Sequence, residues 1–262
     1  KQHTQLGDDT AIRIHYSKMK NWVDRVSRVL MKDYIVLRDN FGDWCMPPES
    51  LELIHSQDTT RHTKGEVLST TMFYSILQLM KKFADINRSP DDVARYTDLA
   101  IKIKDAYNRA FFDTVNGWYS NNTVTANILS LRLGLVPAGY EMKVFENVVK
   151  KTKNDCHSHV STGVIGIQHL LRGLTEYGKA DLAYTIATND TYPSWGYMVK
   201  NGATTIWELW NCNTADPAMN SGNHVMLLGD LVIWLYEKLA GTALMQIFVW
   251  ELFLCYNLIM NG

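Results

Sequence analysis

Residues 66–111 read EVLSTTMFYSILQLMKKFADINRSPDDVARYTDLAIKIKDAYNRAF, and the spacing of their apolar positions decides the fold class. From Glu66 to Asp85, apolar residues recur at Val67, Tyr74, Leu77, Met80 and Ala84, close to the helical period. Asn87-Arg-Ser-Pro90 breaks that pattern, and Asp91 and Asp92 then bring negative charge to a helix start, where the dipole favours it. Val93, Tyr96, Ala100, Ile103, Tyr107 and Phe111 form the next stripe. Two amphipathic helices joined by so short a break predict an antiparallel hairpin.

The same reading extends along the chain. Helical stretches are expected at about Thr125 to Leu133, Gly139 to Lys150, Val164 to Tyr177, Lys179 to Thr188 and Asn220 to Ala240. Gly134, Pro137, Gly178 and Gly241 punctuate them. Strand-like runs are few: Trp118 to Ser120 and Thr204 to Trp207. This is an all-α pattern, consistent with a bundle, a helical repeat or an α/α barrel. No repeat signature favours a solenoid.

With 262 residues the chain can bury a sizeable core. A formal net charge of -1 gives no steering toward nucleic acid or an anionic membrane. Cys45, Cys156, Cys212 and Cys255 are widely spaced and form neither a zinc pattern nor a disulfide framework. The first residue is Lys1, so compartment is not legible from this end.

The chemistry concentrates in Gly202-Ala-Thr-Thr-Ile-Trp-Glu-Leu-Trp-Asn211. Glu208 stands between two tryptophans with no Lys or Arg nearby, although Glu is rarely buried unpaired. Indole rings stack on the apolar face of a sugar while a carboxylate binds hydroxyls or activates water. A surface strand whose Glu faces solvent fits the spacing as well. Other runs appear in order around it: Gly42-Asp43-Trp44, Tyr119-Ser-Asn-Asn-Thr-Val-Thr-Ala126, His159-Val-Ser-Thr-Gly163, Tyr192-Pro-Ser-Trp-Gly-Tyr197 and Met219-Asn-Ser-Gly-Asn-His224.

Taken together, these six motifs resemble the inverting α-L-rhamnosidases of helical-barrel type. The resemblance spans roughly residues 10 to 241. It implies an (α/α)6-type barrel of antiparallel helix hairpins, of which this chain would supply an incomplete part, in a domain covering residues 1–241. It implies that Glu208 is the general base, that Asp43, Trp44, Trp195 and His224 bind the substrate, and that the substrate is a rhamnose-containing glycoside or oligosaccharide. No cofactor is implied, and no second ligand at helical spacing to His224 suggests a metal. His159 reads as a structural or supporting residue.

An inverting glycosidase needs a second carboxyl group, the general acid, about 6.5–9.5 Å from the base. The family's acid lies in a segment that nothing here matches, so the isolated chain is expected to bind sugar but turn it over poorly. Leu209 replaces the Arg that usually follows the base, and Val124 replaces a Gln. These departures keep two alternatives open: a non-catalytic sugar-binding homologue, and an all-helical interaction module. Residues 242–262 match nothing in the family. They are apolar enough to raise a membrane span, but Glu251 at the centre argues against one. The stripe Val67, Tyr74, Leu77, Met80 is the expected unpartnered face of an incomplete ring.

Overall fold

The computed structural model describes residues 8–39, 41–215, 221–224 and 230–241. Its helices are α1 (Thr10–Val29), α2 (Gly65–Ile86), α3 (Pro90–Phe111), α4 (Val124–Arg132), α5 (Glu141–Lys150), α6 (Val164–Glu176), α7 (Ala180–Thr188), α8 (Trp195–Lys200) and α9 (Asp230–Trp234). One π turn, Lys151–Asp155, extends α5, and another, Leu235–Leu239, extends α9. Two short antiparallel ribbons complete the list, β1 (Met31–Lys32) with β2 (Ile35–Val36), and β3 (Phe112–Asp113) with β4 (Trp118–Tyr119).

The hairpin α2–α3 forms as its sequence predicts, and its turn shows why. Arg88 takes a left-handed conformation, φ 56°, and the N–H groups of Arg88 and Ser89 return to the carbonyls of Asp85 and Ala84 at 2.9 Å each. That pairing closes the last turn of α2. Pro90 then opens α3, where its missing N–H costs nothing.

The helices form two layers. α2, α4, α6 and α9 neighbour one another in chain order, and α3, α5 and α7 each back the helix before them. Composition follows position. Every residue of α4 from Val124 to Leu131 is buried, because α4 is covered on all sides. α3 buries one stripe, including Tyr96, Ala100, Ile103 and Tyr107, and turns its charged face outward. Buried polar groups in α4 are paired: Asn127 accepts from the Tyr119 amide at 2.8 Å, and Ser130 meets the Tyr107 hydroxyl at 2.8 Å.

Several expectations are corrected. Helix α1, its ribbon and helix α8 have no counterpart among the expected elements. Thr204 to Trp207 is not a strand. The expected helix from Asn220 is helical among the described residues only from Asp230, and residues 221–224 are not helical. Val67, Tyr74, Leu77 and Met80 are buried, since α1 and α3 cover that stripe. The apolar face of α2 left open is Leu79 with Met72, beside Trp22 of α1. The stretch 242–262 lies outside the described residues.

Candidate functional site

Glu208 lies on a segment that is fastened from two sides. Gly202, at φ +87°, ends α8 in the left-handed region, and the Ala203 amide returns to the Met198 carbonyl at 3.0 Å. Trp207, Leu209 and Trp210 then turn inward and are buried. The Trp210 indole N–H donates to the Cys45 carbonyl at 3.2 Å, and the Asn211 amide donates to the carbonyls of Leu51 and Leu53 at 2.7 and 2.8 Å. On the other side the backbone pairs with residues 221–224. Glu208 N–H donates to Ser221 O at 2.9 Å, and His224 N–H donates to Ile206 O at 2.7 Å.

Between these anchors the Glu208 side chain points outward. Its Oε2 accepts the Ser221 N–H at 3.0 Å and lies 3.3 Å from His224 Nδ1. The Glu208 side chain is 17% exposed and that of His224 31%. Among the described residues, Oε1 receives no donor. One carboxylate oxygen is therefore held, while the other has no hydrogen-bond donor among the described residues.

The loop carrying Asp43 and Trp44 docks on the N-terminus of α6. Asp43 Oδ2 accepts from Gly163 N at 2.9 Å and from the Thr125 hydroxyl at 2.5 Å, while Oδ1 accepts from Ile165 N at 2.9 Å and Gly166 N at 3.1 Å. Helix N-termini leave such N–H groups free, and the dipole favours an anion there. Burial pushes the Asp43 carboxyl upward, against the pull of these four donors. Val164 N–H also donates to Trp44 O at 2.8 Å. Gly163 is required by this approach, because a Cβ there would meet the Asp43 carbonyl oxygen at 2.1 Å.

The Asp43 carboxylate is thus spent on the protein, and both Asp43 and Trp44 are partly exposed. Trp44 lines a cavity of about 370 Å³ with Asp43, Cys45, His55, His62 and Thr63, while Glu208 is not part of its lining. Leu209 and Cys45 pack together beside Trp44. The Cys45 thiol is pushed up to about 12 by burial, then by the charges of Glu208 and Asp43, which places both carboxylates near it.

Trp195 departs from its expected placement, whereas the bonds of His159 fit a structural residue. Trp195 is only 6% exposed and sits edge-on to Trp210, with ring centroids 5.3 Å apart. Its indole packs the Glu208 segment from behind and offers no open face to a sugar. His159 bonds through its two ring nitrogens to the His157 carbonyl at 2.9 Å and the Thr191 hydroxyl at 2.7 Å. The structure also adds two residues that the sequence reading passed over. His55 meets Trp44 edge-on at 5.0 Å, and Tyr192 hydrogen-bonds Pro48 O at 3.0 Å. A lone His in an irregular loop carries no periodic signal. Tyr192 shares its motif with Trp195, and residue identity alone does not separate an open ring from a buried one.

Among the described residues, no three His, Cys, Asp or Glu side chains group as a metal site.

Comparison with known proteins shows the family and the fold. Residues 1–239 match the family described as the bacterial alpha-L-rhamnosidase 6 hairpin glycosidase domain. An alpha-L-rhamnosidase of Formosa agariphila is 30% identical over 252 residues, 94% of this chain and 26% of its own length. One from an Alteromonas species is 31% identical over 91% of this chain and 26% of its length. The chain thus spans about a quarter of these relatives. The alpha-L-rhamnosidase structure from Dictyoglumus thermophilum superimposes with a TM-score of 0.78 at 33% identity, over 88% of this chain and 25% of that one. That of Streptomyces avermitilis alpha-L-rhamnosidase, complexed with L-rhamnose, gives 0.80 at 27% identity, over 91% and 22%. The fold is accordingly of the α/α-barrel type, and the chain belongs to the six-hairpin glycosidase family of the bacterial α-L-rhamnosidases.

Proposed function

We propose that this chain forms the base side of a site that hydrolyses terminal α-L-rhamnosides with inversion. The observation that carries the reading is the state of the Glu208 carboxylate. Oε2 is held by the Ser221 N–H and lies against His224, and among the described residues Oε1 receives no donor, which leaves it to take a water in this reading. In this reading Glu208 removes a proton from that water as its oxygen bonds to the anomeric carbon. The bond to the leaving oxygen breaks on the opposite face, and that oxygen takes a proton from a carboxylic acid.

Asp43 is poorly suited to be that acid. Both its oxygens already accept backbone N–H groups, so a proton on either would displace a hydrogen bond. The acid is assigned to a carboxyl group beyond the described residues. Trp44 supplies an apolar wall, and His224 orients the base and meets a sugar hydroxyl.

The test is Glu208→Gln in a catalytically complete protein containing this chain. The amide cannot accept the water's proton, so kcat falls by about 10²–10⁴-fold with KM little changed. A variant that keeps its parent's kcat removes Glu208 from the reaction.

A further inference from the structure

Trp44 and Glu208 stand on distant stretches of chain, and one buried indole joins those stretches. The Trp210 side chain is 1% exposed, and its N–H donates to the Cys45 carbonyl at 3.2 Å. Cys45 follows Trp44 directly, and Trp210 lies two positions after Glu208. We infer that Trp210 is a positioning residue for hydrolysis, whose indole N–H fixes the separation between the Glu208 carboxylate and the Trp44 wall. This assignment rests on the role proposed above for Glu208.

Two successive carbonyls of the loop go to different parts of the molecule. Trp44 O accepts from Val164 N at 2.8 Å, at the start of α6, and Cys45 O accepts from Trp210. The Asp43 carboxylate is held by the same helix start. Trp44 is therefore tied to α6 on one side and to the base segment on the other. Cys45 makes the turn between them in the left-handed region, φ 58°, which a residue with a side chain keeps only where its surroundings impose it. Further along, the Asn211 amide donates to Leu51 O and Leu53 O at 2.7 and 2.8 Å, and the Thr214 hydroxyl to Leu51 O at 2.5 Å. Those bonds hold the far end of the loop, and the Trp210 bond holds the end beside the wall.

Packing by itself does not call for an indole here. Trp195 meets Trp210 edge-on at 5.3 Å, and Leu209 packs on Cys45, surroundings that another large apolar ring would also fill. The N–H is what a phenyl ring lacks, and without it a buried carbonyl next to the wall loses its bond. The base is close by: the Glu208 charge helps to push the Cys45 thiol up. Attack requires the water on Glu208 and the anomeric carbon of a sugar against Trp44 to approach within about 3–3.5 Å, and a displacement of about 1 Å can cost on the order of 10²-fold.

Hydrolysis of p-nitrophenyl α-L-rhamnoside by a catalytically complete protein containing this chain tests the assignment. Nitrophenolate leaves with little proton donation, so the rate reports the attack of water. Trp210→Phe should lower kcat about 10–100-fold, with KM within about twofold of the parent. In the Glu208→Gln background the same change should lower kcat by less than about twofold, because the base that it positions is already gone. If Trp210→Phe does not fold, Asn211→Ala, which releases the Leu51 and Leu53 carbonyls of the same loop, should show the same dependence on Glu208. Parental kcat in Trp210→Phe, or a raised KM with unchanged kcat, would overturn the positioning role and leave the Glu208 reading standing. An equal fall in both backgrounds would mean a structural role only, and would overturn it as well. Glu208→Gln with the parent's kcat would overturn both readings.

Discussion

Two carboxylates near Cys45 have opposite fates, and their surroundings explain the difference. Glu208 has one oxygen without a donor among the described residues, whereas Asp43 spends both on the start of α6. Asp43 thereby positions Trp44, its chain neighbour. Asp43→Asn would set an amide donor against a backbone N–H and lose the anion at the helix end. Hydrogen bonds to charged groups are worth about 1.5–3 kcal/mol, so a loss of that order is expected in chemical denaturation. L-rhamnose affinity should weaken only through loosening of Trp44. Complete loss of binding with unchanged stability would instead make Asp43 a sugar contact, as the family resemblance implies.

At the scale of the element, α6 is the hub. Its first turn receives Asp43, and its far end carries His169, Arg172 and Glu176 toward α4 and α9. His169 is held down to about 4, from 6.5, by burial first and then by Arg132 and Arg172. Its Nδ1 has no partner among the described residues. The unfolded chain therefore takes up this proton near its ordinary value, and the folded chain only near about 4. Falling pH favours the unfolded state across that window, and the stability present above it is lost. Glu176, Asp230 and Glu237 face the same network, so the comparison must be with a variant. His169→Leu should lose less thermal stability between pH 7 and 4 than the parent. Identical slopes would show that His169 is not the group responsible.

For the molecule as a whole, the row of inner helices leaves apolar side chains open at both ends. Trp22 and Leu79 flank one end, 49% and 48% exposed, around an apolar groove of about 380 Å³. Tyr236 and Leu239, 61% and 56% exposed, lie at the other. Fully burying such a side chain contributes about 1.5–3 kcal/mol. We therefore expect this chain, prepared alone, to associate with itself as concentration rises. Sedimentation should show Trp22→Glu with Leu79→Glu shifting it toward monomer. A parent chain that stays monomeric at high concentration would rule this out. An aryl α-L-rhamnoside assay on the same preparation should show little turnover, since the acid is assigned elsewhere.

Helix positions in the middle of the chain were legible because burial against one partner repeats with the helical period. α2, α3, α4, α6 and α7 fall within a residue or two of their sequence bounds. Residues 204–215 and 221–224 were not, because their order comes from distant backbone groups. Trp210 reaches Cys45, Asn211 reaches Leu51, and Ile206 and Glu208 pair with residues 221–224. Motif order was enough to indicate the family, since it depends only on residue identity. Which aromatic is open and which is buried was not readable from it: Trp195 and Tyr192 are three positions apart in one motif. Sequence alone thus determined the helical class, the family and the candidate base. Only the tertiary structure decided that Asp43 faces α6, that Trp195 packs inward and that Tyr192 faces a cavity, because each depends on which distant segment lies against the side chain.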